Sequence, residues 1–141
     1  MPVTVCCLLL LLLLSGCGRK GPEVVPVEGT ITLDGGPWPK PGTLYFTAET
    51  SSSGLTSRPA MGAFDTDGNL TVTTFKKGDG LIPGKHKIRV ECWETPPRMG
   101  STTPPKSYLP NRYCSTSTSG LAVTVEPNQA VVRLKLNVAK K

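Results

Sequence analysis

From Val27 onward the chain repeats one local pattern: short runs in which apolar and polar residues alternate, separated by glycine and proline. In "VEGTITL", Val27, Gly29, Ile31 and Leu33 fall on one side and Glu28, Thr30 and Thr32 on the other. The same alternation recurs in "TLYFTA" (Leu44, Phe46, Ala48), "AMGAF", "LTVTTF", "HKIRVEC" (His86, Ile88, Val90, Cys92), "LAVTV" (Leu121, Val123, Val125) and "AVVRLKLNV" (Ala130, Val132, Leu134, Leu136, Val138). A period of two is the mark of a strand with one buried face. No helical period of useful length follows Cys17. About seven one-faced strands need a second layer to cover them. The expected fold is therefore all-β, a two-layer antiparallel β-sandwich over 27–141, of the transthyretin-like or immunoglobulin-like kind.

The punctuation supports this. The 15 glycines and 14 prolines are scattered along the chain. "DGGPWPKPG" reads as a turn rich in breakers, and "DTDGN" as a compact hairpin turn. Residues 93 to 120, with Pro96, Pro97, Pro104, Pro105 and Pro110, read as one long loop. The formal charge is +6, from 16 Lys and Arg against 10 Asp and Glu. Lys76-Lys77 and Lys140-Lys141 are only pairs, so the excess reads as solvated charge. Nucleic acid is not an expected partner.

The start of the chain is of another kind. From Val5 to Leu14 it is continuously apolar and includes seven consecutive leucines, Leu8 to Leu14. As a helix, about ten residues reach only half of a ~30 Å hydrocarbon core, so a membrane span is not expected. A uniform leucine block has no amphipathic period, which argues against a core helix. The length suits the apolar region of a signal peptide, and Ser15-Gly16 supplies the small residues that cleavage requires.

Leu14-Ser15-Gly16-Cys17 resembles the lipobox of bacterial lipoproteins: aliphatic, small, small, cysteine. That resemblance implies cleavage between Gly16 and Cys17, with 1–16 removed as a signal peptide. It also implies acylation of Cys17, and 17–26 then forms the lipidated cysteine and its tether. Two or more acyl chains give stable anchoring, where one gives only reversible binding. "MPVTV" departs from the usual form by carrying no Lys or Arg. Gly18 stands where Asp resembles an inner-membrane retention signal, and so points to the outer membrane. The expected location is the bacterial cell envelope, lipid-anchored on the exported side of the inner membrane or in the outer membrane.

The order of the later motifs carries a second resemblance. "VEGTITLDGGPWPKPGTLYFTAE", "GAFDTDGNLTV" and "GLIPGKHKIRVE", with "LPNRY" and "TSGLAVTV" after them, look like the carboxypeptidase-regulatory-like, transthyretin-like domain. More closely, they resemble small planctomycete-type lipoproteins that carry it. His86 replaces the usual aromatic, and Asn128 the usual turn glycine. The resemblance implies a β-sandwich and no reaction, since such domains accompany carboxypeptidases without supplying catalytic groups. No cofactor is expected.

Other residues have both a chemical and a plain structural reading. "DTDGN" is similar in composition to the loops that bind hard cations, but an EF-hand needs its glycine sixth and a distal glutamate. Asp, Gly and Asn also suit a tight turn, and the turn reading is preferred. His86, Cys92 and Cys114 would form a zinc site only if the long loop folded back, and no metal is expected. A Cys–His nucleophile pair lacks an orienting group. After cleavage, Cys92 and Cys114 remain as an even pair in an oxidising setting. The expected state is a disulfide pinning the loop, worth about 3 kcal/mol for ~21 residues closed. The alternative is a buried thiol at Cys92 and a surface thiol at Cys114. Loops on a rigid sandwich collect binding residues, and Trp38, Trp93, Tyr108 and Tyr113 lie in or beside turns and the long loop. Trp93, Arg98, Lys106, Tyr108, Arg112 and Tyr113 form a candidate binding loop for an envelope glycan or protein. For Tyr113, packing over the sandwich edge is the preferred role. Two functions stand at this point: a non-enzymatic, lipid-anchored envelope protein of structural or interaction role, and an exported binding module for glycan, peptide or metal using the 93–120 loop.

Overall fold

The computed structural model describes Gly18 and residues 21–51 and 58–141. The leucine run, the expected cleavage site at Gly16 and the expected lipidation site at Cys17 lie outside the described residues. The strands are β1 (Val27–Leu33), β2 (Gly42–Ser51), β3 (Ala60–Phe64), β4 (Asn69–Thr73), β5 (Gly84–Glu91), β6 (Trp93–Thr95), β7 (Lys106–Ser107), β8 (Leu121–Val125) and β9 (Val132–Val138). A single turn of 3-10 helix spans Asn111–Cys114.

Seven strands share one hydrogen-bonded sheet in the order β8-β5-β2-β3-β4-β1-β9, and β6 pairs with β7 separately. Every strand of the large sheet buries one face in the same apolar cluster, which a flat sheet cannot do. The sheet therefore curls on itself, giving the sandwich-like, all-β fold that the alternation predicts. Ile31, Leu44, Phe46, Ile88, Val90 and Val138 are inaccessible at its centre. All these residues occupy alternate positions read as inward from the sequence.

Three features differ from the expectation. β1 and β9 pair in parallel, from Val27 opposite Val132 to Leu33 opposite Val138. Alternation defines faces, not strand direction, so it carried no sign of this. Residues 93 to 120 are not one loop: β6, β7 and the 3-10 turn organise much of them. Ala130 is exposed and precedes β9 rather than beginning it.

Two turns fix the ends of the sandwich. At one pole, Leu33 and Gly36 exchange backbone hydrogen bonds of 3.1 and 3.0 Å across Asp34-Gly35. Both central residues have positive φ, 50° and 77°, as the tightest hairpin turns require. Trp38 follows, buried, its indole N–H donating to Ile31 O at 2.7 Å and its ring 4.5 Å from that of Phe64. Its backbone N–H reaches Thr66 O in the β3–β4 turn at 2.8 Å, which brings "DTDGN" to the same pole. The opposite pole receives the N-terminal segment. Val25, assigned by sequence to the tether, is buried and exchanges backbone bonds with Leu81.

Candidate functional site

The residues read from the sequence as a binding loop lie at the pole away from the N-terminal segment, and their fates divide. Tyr113 is buried on the 3-10 turn. Its hydroxyl accepts from Arg112 at 2.8 Å and from the Ala139 N–H at 3.1 Å. The Arg112 guanidinium also lies 4.6 Å from the Tyr113 ring centre. This pair clips the turn to the chain following β9, which is a packing role.

Trp93 is half-buried, and its indole N–H donates to Glu91 Oε2 at 3.3 Å. Lys106 pairs with Glu94 across β6 and β7 at 2.8 Å. The hydrogen bond and charge of Glu94 hold the Lys106 ammonium above its ordinary pKa. Arg98 is exposed in the connection between these two strands, and its carbonyl accepts from Ser101 N–H at 3.2 Å. Tyr108 lines a groove.

That groove has a volume of about 660 Å³ and separates the Asp34–Pro39 turn from the β6–β7 ribbon. Its lining includes Asp34, Pro37, Trp38 and Pro39 from the turn, Glu94 and Tyr108 from the ribbon side, and Lys140. Asp34 Oδ1 accepts the backbone N–H of Lys140 at 3.1 Å, which ties the chain after β9 to the groove. Lys40 Nζ donates to Glu94 O at 3.0 Å and braces the ribbon against the proline turn. The groove offers an aromatic ring, proline faces and charges of both signs. Such a lining suits contact with an extended or ring-shaped polar ligand. Sequence reasoning found Trp38 and Tyr108 but not Asp34, Pro37, Pro39, Glu94 or Lys140. The only local sign of Asp34, Pro37 and Pro39 was "DGGPWPKPG", which reads equally well as a plain turn.

A second groove of about 610 Å³ crosses the outer face of β2, β3 and β4, lined among others by Thr43, Met61, Thr71, Thr73 and Lys77. It ends at Asp65, whose carboxylate is committed to its own turn. Oδ1 accepts from Asp67 N–H at 3.0 Å and Asn69 N–H at 2.9 Å, and Oδ2 from the Asn69 side chain at 2.9 Å. The Asn69 side chain leads these contacts in holding the carboxyl below its ordinary pKa. Gly68 completes the turn at φ 84°, where a Cβ would stand 2.0 Å from Ile31 O. "DTDGN" is thus a turn locked against β1.

Cys92 and Cys114 are not bonded to each other. Both Cys92 and Cys114 are free thiols in this structure, where a disulfide was expected. The reason lies in strand geometry. Cys92 points inward, with Sγ 3.4 Å from Lys40 O. Cys114 lies within range of the charges of Glu91 and Arg89, which alternate with Cys92 and so belong to the other face. Burial raises both thiol pKa values.

His86 faces inward from β5, and Cys92, which directly follows that strand, is also buried but six residues later, about 20 Å along an extended chain. The two therefore form neither a nucleophile pair nor a shared metal site. Among the described residues, no group of three or more His, Cys, Asp or Glu gathers at metal-binding distance. No helix among them is long and apolar enough to cross a membrane. The chain matches no protein-family model, no curated protein and no solved structure.

Proposed function

We propose that the chain is a lipid-anchored protein of the bacterial cell envelope, acylated at Cys17, with a non-enzymatic structural or interaction role. The observation that carries this is the sequence Leu14-Ser15-Gly16-Cys17 at the end of an apolar run of signal-peptide length. The β-sandwich is read as a transthyretin-like domain on the motif order described above. The fold is compatible with such a role: the N-terminal segment enters at one pole, and the Tyr108 groove opens at the other.

The decisive experiment is metabolic labelling with palmitate in a bacterial host, with and without globomycin. Labelled protein is expected in the membrane fraction, with an unprocessed precursor accumulating under globomycin. Cys17→Ala is expected to abolish the label. A Cys17→Ala chain that is still acylated and membrane-bound would refute the reading.

A second reading, an exported binding module, is favoured by one observation, the groove between Pro37, Pro39 and Tyr108. Its ligand class would be a glycan or an extended peptide. A glycan array and a peptide library test it, with Tyr108→Ala as the control that should lose any signal.

A further inference from the structure

We propose that the pole receiving the N-terminal segment carries a second, non-covalent membrane contact: a dock for anionic lipid built from Arg58, Phe75, Lys76 and Lys77. It rests on the reading of Cys17 as an acylated anchor.

Phe75 is one of three large hydrophobic side chains exposed among the described residues, at 39 %. The turn that presents it is built, not loose. The Asp79 carboxylate accepts the backbone N–H groups of Thr74 at 2.7 Å, Phe75 at 2.9 Å and Lys76 at 2.8 Å. The Gly78 N–H reaches Thr73 Oγ1 at 3.0 Å. These bonds commit the one acidic side chain of the loop to the backbone and leave Phe75, Lys76 and Lys77 facing solvent. The Arg58 guanidinium stacks over the Phe75 ring, 4.7 Å from its centre.

Among the described residues, the cations of this patch are also without carboxylate partners, a state they share with several cations elsewhere on the sandwich. Lys85, Lys87, Arg89 and Lys106 all have carboxylate partners. Among the described residues, Arg58, Lys76 and Lys77 form no ion pair. An exposed aromatic ring stacked under Arg58, with exposed Lys76 and Lys77 next to it in the chain, suits the boundary between headgroups and acyl chains of an anionic bilayer.

Position selects lipid over other acidic partners. The Phe75 turn is joined directly to the segment that leads back to Cys17. Gly80 N–H bonds Val72 O at 3.1 Å, and Leu81 exchanges bonds of 2.7 and 2.9 Å with Val25. From Val25 back to Cys17 are eight residues, which span at most about 28 Å. β1 separates this pole from the groove by about 23 Å. An acylated Cys17 thus keeps the Phe75 pole near the bilayer at high effective concentration, where a weak contact is populated. The dock fixes the orientation of the sandwich and turns the Tyr108 groove away from the membrane.

The test uses the acylated chain in proteoliposomes. Phe75→Trp places a reporter in the patch, and the parent signal from Trp38 and Trp93 is subtracted. Flotation of the same sample measures anchoring. In phosphatidylglycerol-rich vesicles the introduced indole is expected to shift to the blue and be quenched by brominated lipid. In phosphatidylcholine vesicles, or with Arg58, Lys76 and Lys77 all changed to Gln, at least half of that quenching should disappear while flotation persists. Protein that floats with an unquenched indole, or with quenching indifferent to lipid charge and to the three substitutions, overturns the dock and leaves the anchor standing. Protein that does not float overturns both.

Discussion

Val25 and Leu81 exchange a reciprocal pair of backbone hydrogen bonds, Val25 N–H to Leu81 O at 2.7 Å and Leu81 N–H to Val25 O at 2.9 Å. This bridge is the point at which the N-terminal segment becomes part of the sandwich. Gly80 makes the bridge possible. Its φ is 108°, and a Cβ there would stand 1.9 Å from Val25 O. Gly80→Ala therefore meets both backbone strain and a clash with backbone that has no rotamer to yield. A loss of about 2 kcal/mol or more is expected, read as a lower denaturant midpoint in urea unfolding. If the midpoint is unchanged, the bridge does not hold the segment in solution.

Asp79 gives the same pole a dependence on acid. Burial works against its charge, but the N–H groups of Thr74, Lys76 and Phe75 outweigh this and hold the carboxyl below its ordinary pKa. A carboxyl depressed in the folded state stabilises the fold above its unfolded pKa, about 3.9. That contribution is lost as pH falls through the lower, folded pKa. Asp79→Asn keeps the shape but replaces one accepting oxygen with an NH2 donor, so at least one of the three N–H groups loses its partner, and it should cost about 1–2 kcal/mol at neutral pH. The difference between parent and variant should shrink on acidification below pH ~4. Urea melts at a series of pH values measure it; a constant difference would mean the carboxylate charge contributes nothing.

The two thiols should be distinguishable in the folded protein. Cys92 is buried with Sγ against Lys40 O, while Cys114 is only partly covered. Under non-reducing conditions, peptide mapping should recover both as free thiols. Cys114 is expected to react with a maleimide in the native state, and Cys92 only after unfolding, because reaction needs both access and thiolate. Burial raises both pKa values, so even Cys114 should label slowly at neutral pH and faster as pH rises. Recovery of a Cys92–Cys114 bridged peptide would contradict the structure.

Strand faces were legible in the sequence because a half-buried strand writes its geometry into every second residue. Val27 to Leu33, Ala60 to Phe64 and Leu121 to Val125 begin and end where the alternation does. Pairing was less legible. The parallel match of Val27 to Val132 joins strands a hundred residues apart, and alternation looks the same in either direction. The groove was legible only at its aromatics, Trp38 and Tyr108. Glu94 and Lys140 reach it through the β6–β7 ribbon and the chain after β9, and no local pattern couples those segments. The Cys92–Cys114 expectation failed to match the structure for a related reason. Even counting and loop length say nothing of which strand face a thiol occupies.

His86 offers the most discriminating check on the core. It is inaccessible to solvent between Ala48 of β2 and Val123 of β8, where the resemblance led to an aromatic. Its Nε2 lies 2.8 Å from Ile82 O, and a carbonyl only accepts, so Nε2 carries the proton. Nδ1 is then the acceptor, and it is buried with no partner among the described residues. An unpartnered ring nitrogen costs stability, but removing the ring costs more. It would orphan Ile82 O and leave a cavity beside Ile88. His86→Ala should destabilise by about 2–4 kcal/mol. Nitrogen-15 chemical shifts of the imidazole should report a single Nε2–H tautomer in the folded protein. An Nδ1–H tautomer would break the Ile82 contact and place the ring in a different orientation from the one described.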